Sequence, residues 1–211
     1  MTDEEIRAIS KIFIVACGSA YHTGVTAKYV FEKLARIPVE VDLASEFRYR
    51  DPILPENTLV VIVSQSGETA DTLAALRLAK EKGVRTLGIV NVVGSSIARE
   101  ADNVMYTWAG PEIAVATTKA YSTQLIAQYL LAMKFAKVRG TVSQNDFDAM
   151  IQSLERLPEQ ISLLLSHKEN VQRFANRYLA AEHVFFIGRG IDYAISMEGS
   201  LKLKEISYIH A

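Results

Sequence analysis

The chain has 211 residues, of which 49% are hydrophobic and 22% are charged, as in an ordinary globular protein with a sizeable core. Its formal net charge of −1 provides no broad basic field for nucleic acid or for an anionic membrane, and its apolar runs are far shorter than the roughly 20 residues that cross a bilayer. The single cysteine excludes an intrachain disulfide and a cysteine-rich metal site. We therefore expect a cytoplasmic protein with no metal or cofactor, in which local donors hold any anionic ligand.

Strand and helix patterns alternate along the first 140 residues. A capping box, Thr2-x-x-Glu5, opens a short helix, and apolar residues at Ala27, Val30, Phe31 and Leu34 have helical spacing. Strands are predicted at Lys11–Ala16, Val39–Leu43, Thr58–Val63, Thr86–Val90 and Asn103–Thr107, and further helices at Thr69–Lys82, Thr118–Val138, Gln144–Ser166 and Lys168–Leu179. This alternation predicts an α/β fold, a doubly wound parallel sheet flanked by helices.

The beginning of the chain is repeated near its end. The segment Ile12–Gly18 is matched by Val184–Gly190 at an offset of 172 residues, and Tyr21 is matched by Tyr193 at the same offset. Both copies have the pattern of a strand, a glycine turn and an amphipathic helix. We therefore expect a first lobe with a helical extension at residues 1–167, and the start of a similar but truncated second lobe at 168–211.

The loop Ser64-Gln65-Ser66-Gly67-Glu68-Thr69 lies between a buried strand and the start of a helix. A helix start presents unpaired N–H groups and the positive end of the helix dipole, which together bind phosphate. The hydroxyl groups of Ser64, Ser66 and Thr69 add further donors. In the alternative interpretation, a serine here only caps the helix.

The turn Cys17-Gly18-Ser19-Ala20 follows the first strand, so it could form the opposite wall of the same crevice. We interpret Cys17 as a small buried thiol rather than a nucleophile. The turns at Gly18 and Gly190 lack the G-x-G-x-x-G fingerprint, which argues against a third alternative, a nucleotide-binding Rossmann protein.

The last helix carries Glu198, Lys202 and Glu205 at spacings of four and three residues, hence on one face, whereas Lys204 points elsewhere. These charges could form a solvent-exposed ladder of salt bridges. In the functional interpretation, Glu205 is a carboxylate base and Lys202 holds substrate oxygens. His22 and His210 have no metal-site spacing, so we expect both to be structural or exposed.

Several of these motifs together resemble the glucosamine-6-phosphate synthase family, the isomerizing glutamine–fructose-6-phosphate aminotransferases. The serine loop alone indicates only the wider sugar isomerase (SIS) fold, whereas the string around Glu205 is more specific to the synthases. The resemblance spans essentially the whole chain and rests on Cys17-Gly18-Ser19, Ala44–Arg50, Ser64–Thr69, Thr117-Thr118-Lys119 and Glu198–Ser207.

The resemblance implies a role for each motif. It places Ser64, Gln65, Ser66 and Thr69 around a sugar phosphate, with Ser19 beside them, and Thr117 and the backbone of Val115 against the sugar. It implies that Lys202 binds the sugar and that Glu205 moves a proton between C1 and C2. Family members often have a serine where this chain has Ala20, so one phosphate hydroxyl is missing.

The resemblance also implies fructose 6-phosphate, glucosamine 6-phosphate or glucose 6-phosphate as ligands, and a homodimer. The apolar stretch Thr123–Val138 suggests the same, since it offers more hydrophobic surface than one lobe easily covers. The family's glutaminase domain and the segment that supplies its ring-opening histidine have no counterpart here, so we expect a fragment that binds but turns over poorly. The alternative is a regulatory SIS module that senses a sugar phosphate without chemistry.

Overall fold

The computed structural model describes all 211 residues and contains one parallel sheet of five strands. The strands are β1 (Lys11–Ala16), β2 (Val39–Leu43), β3 (Thr58–Ser64), β4 (Arg85–Val90) and β5 (Asn103–Tyr106), in the order β2-β1-β3-β4-β5. All four pairings are parallel, and β1 lies between β2 and β3. The prediction of a doubly wound α/β fold is therefore confirmed.

Ten α-helices surround and extend this sheet. They are α1 (Asp3–Ala8), α2 (Gly18–Leu34), α3 (Ala44–Tyr49), α4 (Ala70–Glu81), α5 (Ser96–Glu100), α6 (Lys119–Arg139), α7 (Gln144–Glu155), α8 (Leu157–Leu165), α9 (Lys168–Ala175) and α10 (Ile191–Ser207). A 3₁₀ turn at Asn176–Tyr178 follows α9. The predicted capping box is present, since the Glu5 N–H donates to Thr2 Oγ1 and the Thr2 N–H donates to a Glu5 carboxylate oxygen. None of these helices is both long enough and apolar enough to cross a membrane.

The prediction of one helix over Gln144–Ser166 is wrong, because the chain forms two helices that meet at Arg156. Pro158 lies in the first turn of α8, where its missing N–H is tolerated. In a continuous helix the same proline would leave the carbonyl of Leu154 without its hydrogen bond. The predicted helix over Lys168–Leu179 is also shorter than expected, since the regular part ends at Ala175.

The core has two layers, one on each face of the sheet. Phe31 of α2 and Phe135 of α6 meet edge to face on one side, with ring centroids 5.9 Å apart. Phe13 and Phe47 pack with α4 and α5 on the other side. Every residue of β3 is buried, as its β-branched run predicts for a central strand covered on both faces.

The apolar stretch Thr123–Val138 is buried only in part, since Leu130 is 37% exposed and Tyr129 lines an apolar groove beside α7. Helix α6 packs along α2 and buries residues on several sides, including Leu131, Met133 and Phe135. Further exposed apolar side chains occur on α8 and α9, among them Leu164 and Phe174.

The second copy of the repeat forms a helix but no strand. Residues 184–190 have no ladder partner, and the only pairing nearby is an isolated bridge between His183 and His210. Phe185 and Ile187 are each 88% exposed. A strand needs a neighbour to satisfy its backbone groups, and none of the five strands lies beside this segment. The glycine turn is present in both copies, since Gly18 and Gly190 both have positive φ. Gly18 begins the 17-residue helix α2, and Gly190 precedes the 17-residue helix α10.

Helix α2 approaches the sheet so closely at Gly24 that an added Cβ would lie 2.8 Å from Ile14 Cγ2 and 3.0 Å from Val41 Cγ1. We expect Gly24→Ala to destabilise the protein. The clash costs about 1–3 kcal/mol, which exceeds the gain of up to about 1 kcal/mol in helix propensity. Urea denaturation measures the difference, and a more stable variant would show that α2 can shift away from the sheet.

Candidate functional site

A cavity of about 380 Å³ opens at the carboxyl ends of β1 and β3. In the sheet, β2 lies beside one edge of β1 and β3 lies beside its other edge, so the strand order reverses at β1. At this switch point a doubly wound sheet forms a crevice for ligands. All nine site residues predicted from the sequence line this cavity: Ser19, Ser64, Gln65, Ser66, Thr69, Val115, Thr117, Lys202 and Glu205. The tertiary structure thus brings together residues from four separate parts of the chain.

The serine loop forms one wall of the cavity through hydrogen bonds of its own. The hydroxyl oxygen of Ser64, which is only 3% exposed, accepts from the Gly67 N–H at 3.0 Å and lies 3.0 Å from Thr69 Oγ1. Ser66 Oγ accepts from the Glu68 N–H at 3.2 Å. These bonds shape the loop before α4 begins, and no side chain caps α4 itself. The simple capping interpretation therefore does not describe this loop.

Gly67 allows the loop to turn and to approach α5 closely. Its φ is +68°, and an added Cβ would lie 2.1 Å from Ser95 Oγ and 2.6 Å from Ser95 Cβ. Its carbonyl accepts the Ile97 N–H at 3.1 Å. The backbone at the cavity is thus positioned from behind by the segment that begins α5.

The turn after β1 forms the facing wall. Ser19 lies in the first turn of α2, after Gly18 with a φ of +55°. Cys17 is only partly buried and lies 3.7 Å from Thr72 Oγ1, so the thiol is less enclosed than its sequence interpretation predicts. Ala20 also lines the cavity and adds no hydroxyl group there.

A glutamate that the sequence interpretation missed organises the third wall. The Glu112 carboxylate accepts the Thr117 hydroxyl at 3.2 Å and the N–H groups of Thr118 and Ala120 at 3.3 and 3.2 Å. Partial burial alone would raise the pKa of Glu112, but these hydrogen bonds outweigh it and lower the pKa below its usual value. Thr117 therefore lines the cavity with its hydroxyl already donated, while the neighbouring Val115 is 96% exposed.

Helix α10 brings charged groups to the mouth of the cavity. Lys202 Nζ lies 2.5 Å from Glu205 Oε2 and 3.6 Å from Glu198 Oε1. Glu198 itself is 5% exposed and bonds His22 Nδ1 at 2.8 Å. The alternative of a solvent-exposed ladder is therefore wrong for Glu198, and His22 is largely buried in an inter-helix contact. Residues 176 positions apart give no spacing signal, so sequence periodicity could not have shown this pair.

These residues provide hydroxyl donors, backbone N–H groups and one ammonium group in a single crevice, which suits an anionic, hydroxyl-rich ligand. Nowhere in the structure do three or more histidine, cysteine or carboxylate side chains come together as a metal site. The fold and cavity together define an α/β protein with a candidate anion-binding site at its switch point.

Comparison with known proteins specifies the family. The SIS domain family matches residues 5–134, and the chain belongs to this family. It is 62% identical over its whole length to an isomerizing glutamine–fructose-6-phosphate aminotransferase of Caldanaerobacter subterraneus subsp. tengcongensis, and 60% identical to one of Clostridium acetobutylicum. The chain spans 35% of the length of each of these curated relatives.

A solved structure shows the same architecture. The C-terminal domain of glucosamine-fructose-6-phosphate aminotransferase from Francisella tularensis superimposes with a TM-score of 0.96 at 42% identity. The alignment covers 99% of this chain and 59% of that one. The chain therefore has the fold of part of the isomerase domain of such enzymes, as the resemblance of its motifs implies.

Substitution of Gly67 tests how strictly the loop is positioned. Gly67→Ala should lower the free energy of unfolding by about 2–5 kcal/mol, since the left-handed backbone costs about 1–2 kcal/mol and the clash with Ser95 adds about 1–3. Gly94→Ala is the matched control, because Gly94 has a φ of +74° but open space around its missing Cβ. It should lose only the backbone part. Equal losses in urea denaturation would contradict the close approach.

Proposed function

We propose that the cavity binds a hexose phosphate and that this chain is the sugar-phosphate-binding isomerase portion of a glucosamine-6-phosphate synthase. Such an enzyme converts fructose 6-phosphate and glutamine-derived ammonia to glucosamine 6-phosphate. The observation that carries the proposal is the meeting, in one cavity, of the serine loop with Lys202 and Glu205. The names of the curated relatives support the same reaction.

In this proposal the serine loop holds the phosphate group. Ser64, Ser66, Thr69 and Ser19 present hydroxyls from two facing walls, and the N-terminus of α4 adds the positive end of its dipole. The amide of Gln65 lines the same wall. A phosphate bound away from the reacting carbons supplies binding energy and orients the sugar for reaction.

Lys202 and Glu205 act on the sugar. Conversion of a ketose imine to an aldose amine needs one base that reaches both C1 and C2, and the Glu205 carboxylate is suited to this. It is one-third exposed and faces the cavity, so substrate can reach it. The Lys202 ammonium, now bonded to Glu205, would turn to the sugar oxygens when substrate enters. Val115 and Thr117 complete the wall on the sugar side.

The proposal extends to the state of the protein. The single cysteine suits a reducing cytoplasm and we propose that no cofactor is used, whereas the family resemblance implies the homodimer. It also implies that these 211 residues alone bind a sugar phosphate but turn over poorly, because the chain spans only 35% of the curated relatives.

Calorimetric titration of this chain tests the binding site. We expect fructose 6-phosphate and glucose 6-phosphate to bind and unphosphorylated fructose not to bind. Ser66→Ala should weaken phosphate binding about 10–100-fold, since a hydrogen bond to a charged group contributes about 1.5–3 kcal/mol. Ser162→Ala is the control, because Ser162 lies on α8 and bonds its own helix carbonyl. Equal affinity for fructose and its phosphate would overturn the assignment of the serine loop.

Glu205→Gln and Lys202→Met test the proposed chemistry, with Lys204→Met as the control. All three are made in the protein as its native organism expresses it. Glu205→Gln should reduce the formation of glucosamine 6-phosphate from fructose 6-phosphate and ammonia about 10²–10⁴-fold, since a positioned base contributes that much. Binding of the sugar phosphate should persist. Lys202→Met should also impair turnover, whereas Lys204→Met, on the exposed side of α10, should not. Undiminished turnover by Glu205→Gln would contradict its role, and binding without turnover by the parent protein would favour the regulatory module.

A further inference from the structure

A buried polar contact joins two helices that are distant in the sequence. His22 of α2 and Glu198 of α10 meet at 2.8 Å between Nδ1 and Oε2, and their side chains are only 13% and 7% exposed. Two polar groups held this deeply must satisfy each other, because a buried carboxylate without a partner costs several kcal/mol. The contact therefore helps to hold α10 against α2.

The other oxygen of the Glu198 carboxylate lies near Lys202, which lines the cavity. The second oxygen of Glu198, Oε1, is buried and has no hydrogen-bond partner, but it lies 3.6 Å from Lys202 Nζ. Lys202 Nζ is in turn 2.5 Å from Glu205 Oε2. The ammonium group thus lies between two carboxylates, one buried and one facing the cavity.

The histidine determines which way the buried carboxylate faces. By binding Oε2, His22 leaves Oε1 directed at the ammonium group of Lys202. Packing of the Tyr21 ring, with its centroid 5.7 Å from that of His22, restricts the imidazole. Without the histidine, the carboxylate would be free to rotate and to draw Lys202 away from Glu205.

We propose that His22 is a positioning residue for the isomerisation, acting through Glu198 on Lys202 and Glu205. His22 is not among the residues that line the cavity. This inference rests on the proposed function, since it assigns His22 a role in the same reaction. It makes the geometry of the proposed base depend on a residue of the first lobe.

Three substitutions separate positioning from structural support. Asparagine carries its amide nitrogen at the place of the imidazole Nδ1, which bonds Glu198, whereas glutamine carries it at the place of Nε2. His22→Asn therefore keeps the donor where it is needed, and His22→Gln moves it away. His22→Leu removes the donor altogether.

The assay is ammonia-dependent formation of glucosamine 6-phosphate by the protein as it is expressed natively. We expect His22→Leu and His22→Gln to lower kcat about 10–100-fold, as misplacement of reacting groups does. KM for fructose 6-phosphate should stay within about twofold, since the phosphate site is intact. His22→Asn should retain kcat within about threefold of the parent.

The possible results distinguish a failure of the role of His22 from a failure of the proposed function. An active parent with unchanged kcat in His22→Gln overturns the role of His22 and leaves the proposed function intact. Equal loss in the asparagine and glutamine variants also overturns it, because the loss then reflects packing rather than the Nδ1 donor. If His22→Leu fails to fold, the asparagine and glutamine pair decides alone. A parent that binds sugar phosphate but forms no product overturns both proposals.

Discussion

The reversal of strand order between β1 and β3 is the constraint on which the rest of the structure depends. Where the strand order reverses, the turns after two neighbouring parallel strands lead to opposite faces of the sheet, so a crevice remains between them. Here the turns are Cys17–Ala20 and the serine loop, and each begins a helix. The buried β3 cannot shift without disturbing both layers of the core, so the position from which the serine loop begins is fixed by the sheet.

A crevice positioned by the sheet explains how hydroxyls can replace basic side chains at the proposed anion site. Hydroxyl and N–H dipoles attract an anion only if they already point at it, because reorienting them on binding would cost free energy. The loop meets this condition through its own hydrogen bonds, from Gly67 N–H to Ser64 and from Glu68 N–H to Ser66. Such a site also accords with a chain whose formal net charge is −1.

The groups proposed for chemistry are held differently from those proposed for binding. Helix α10 has no sheet beneath it and packs mainly on α2, where Glu198 meets His22. Lys202 and Glu205 extend from the same helix over the cavity. The binding wall therefore belongs to the rigid sheet, whereas the proposed base depends on the docking of a single helix through a buried polar contact. Glu112 has a comparable organising role for the wall that contains Thr117.

Local patterns were enough to predict most of the elements, the serine loop and the charged face of α10, whereas Val115 and Thr117 were named only through the family resemblance. The β-branched run of β3 shows that this strand is buried on both faces, and the serine loop consists of consecutive residues, so the sequence by itself determined the α/β fold and this wall of the crevice. The break at Pro158 follows from the missing proline N–H and was readable in the sequence. The unpaired segment 184–190 and the contacts of His22 and Glu112 were decided only by the tertiary structure. Each of these depends on which groups lie opposite one another in space. Helical and strand periodicities report only which face of an element is apolar, and carry no information about its partner.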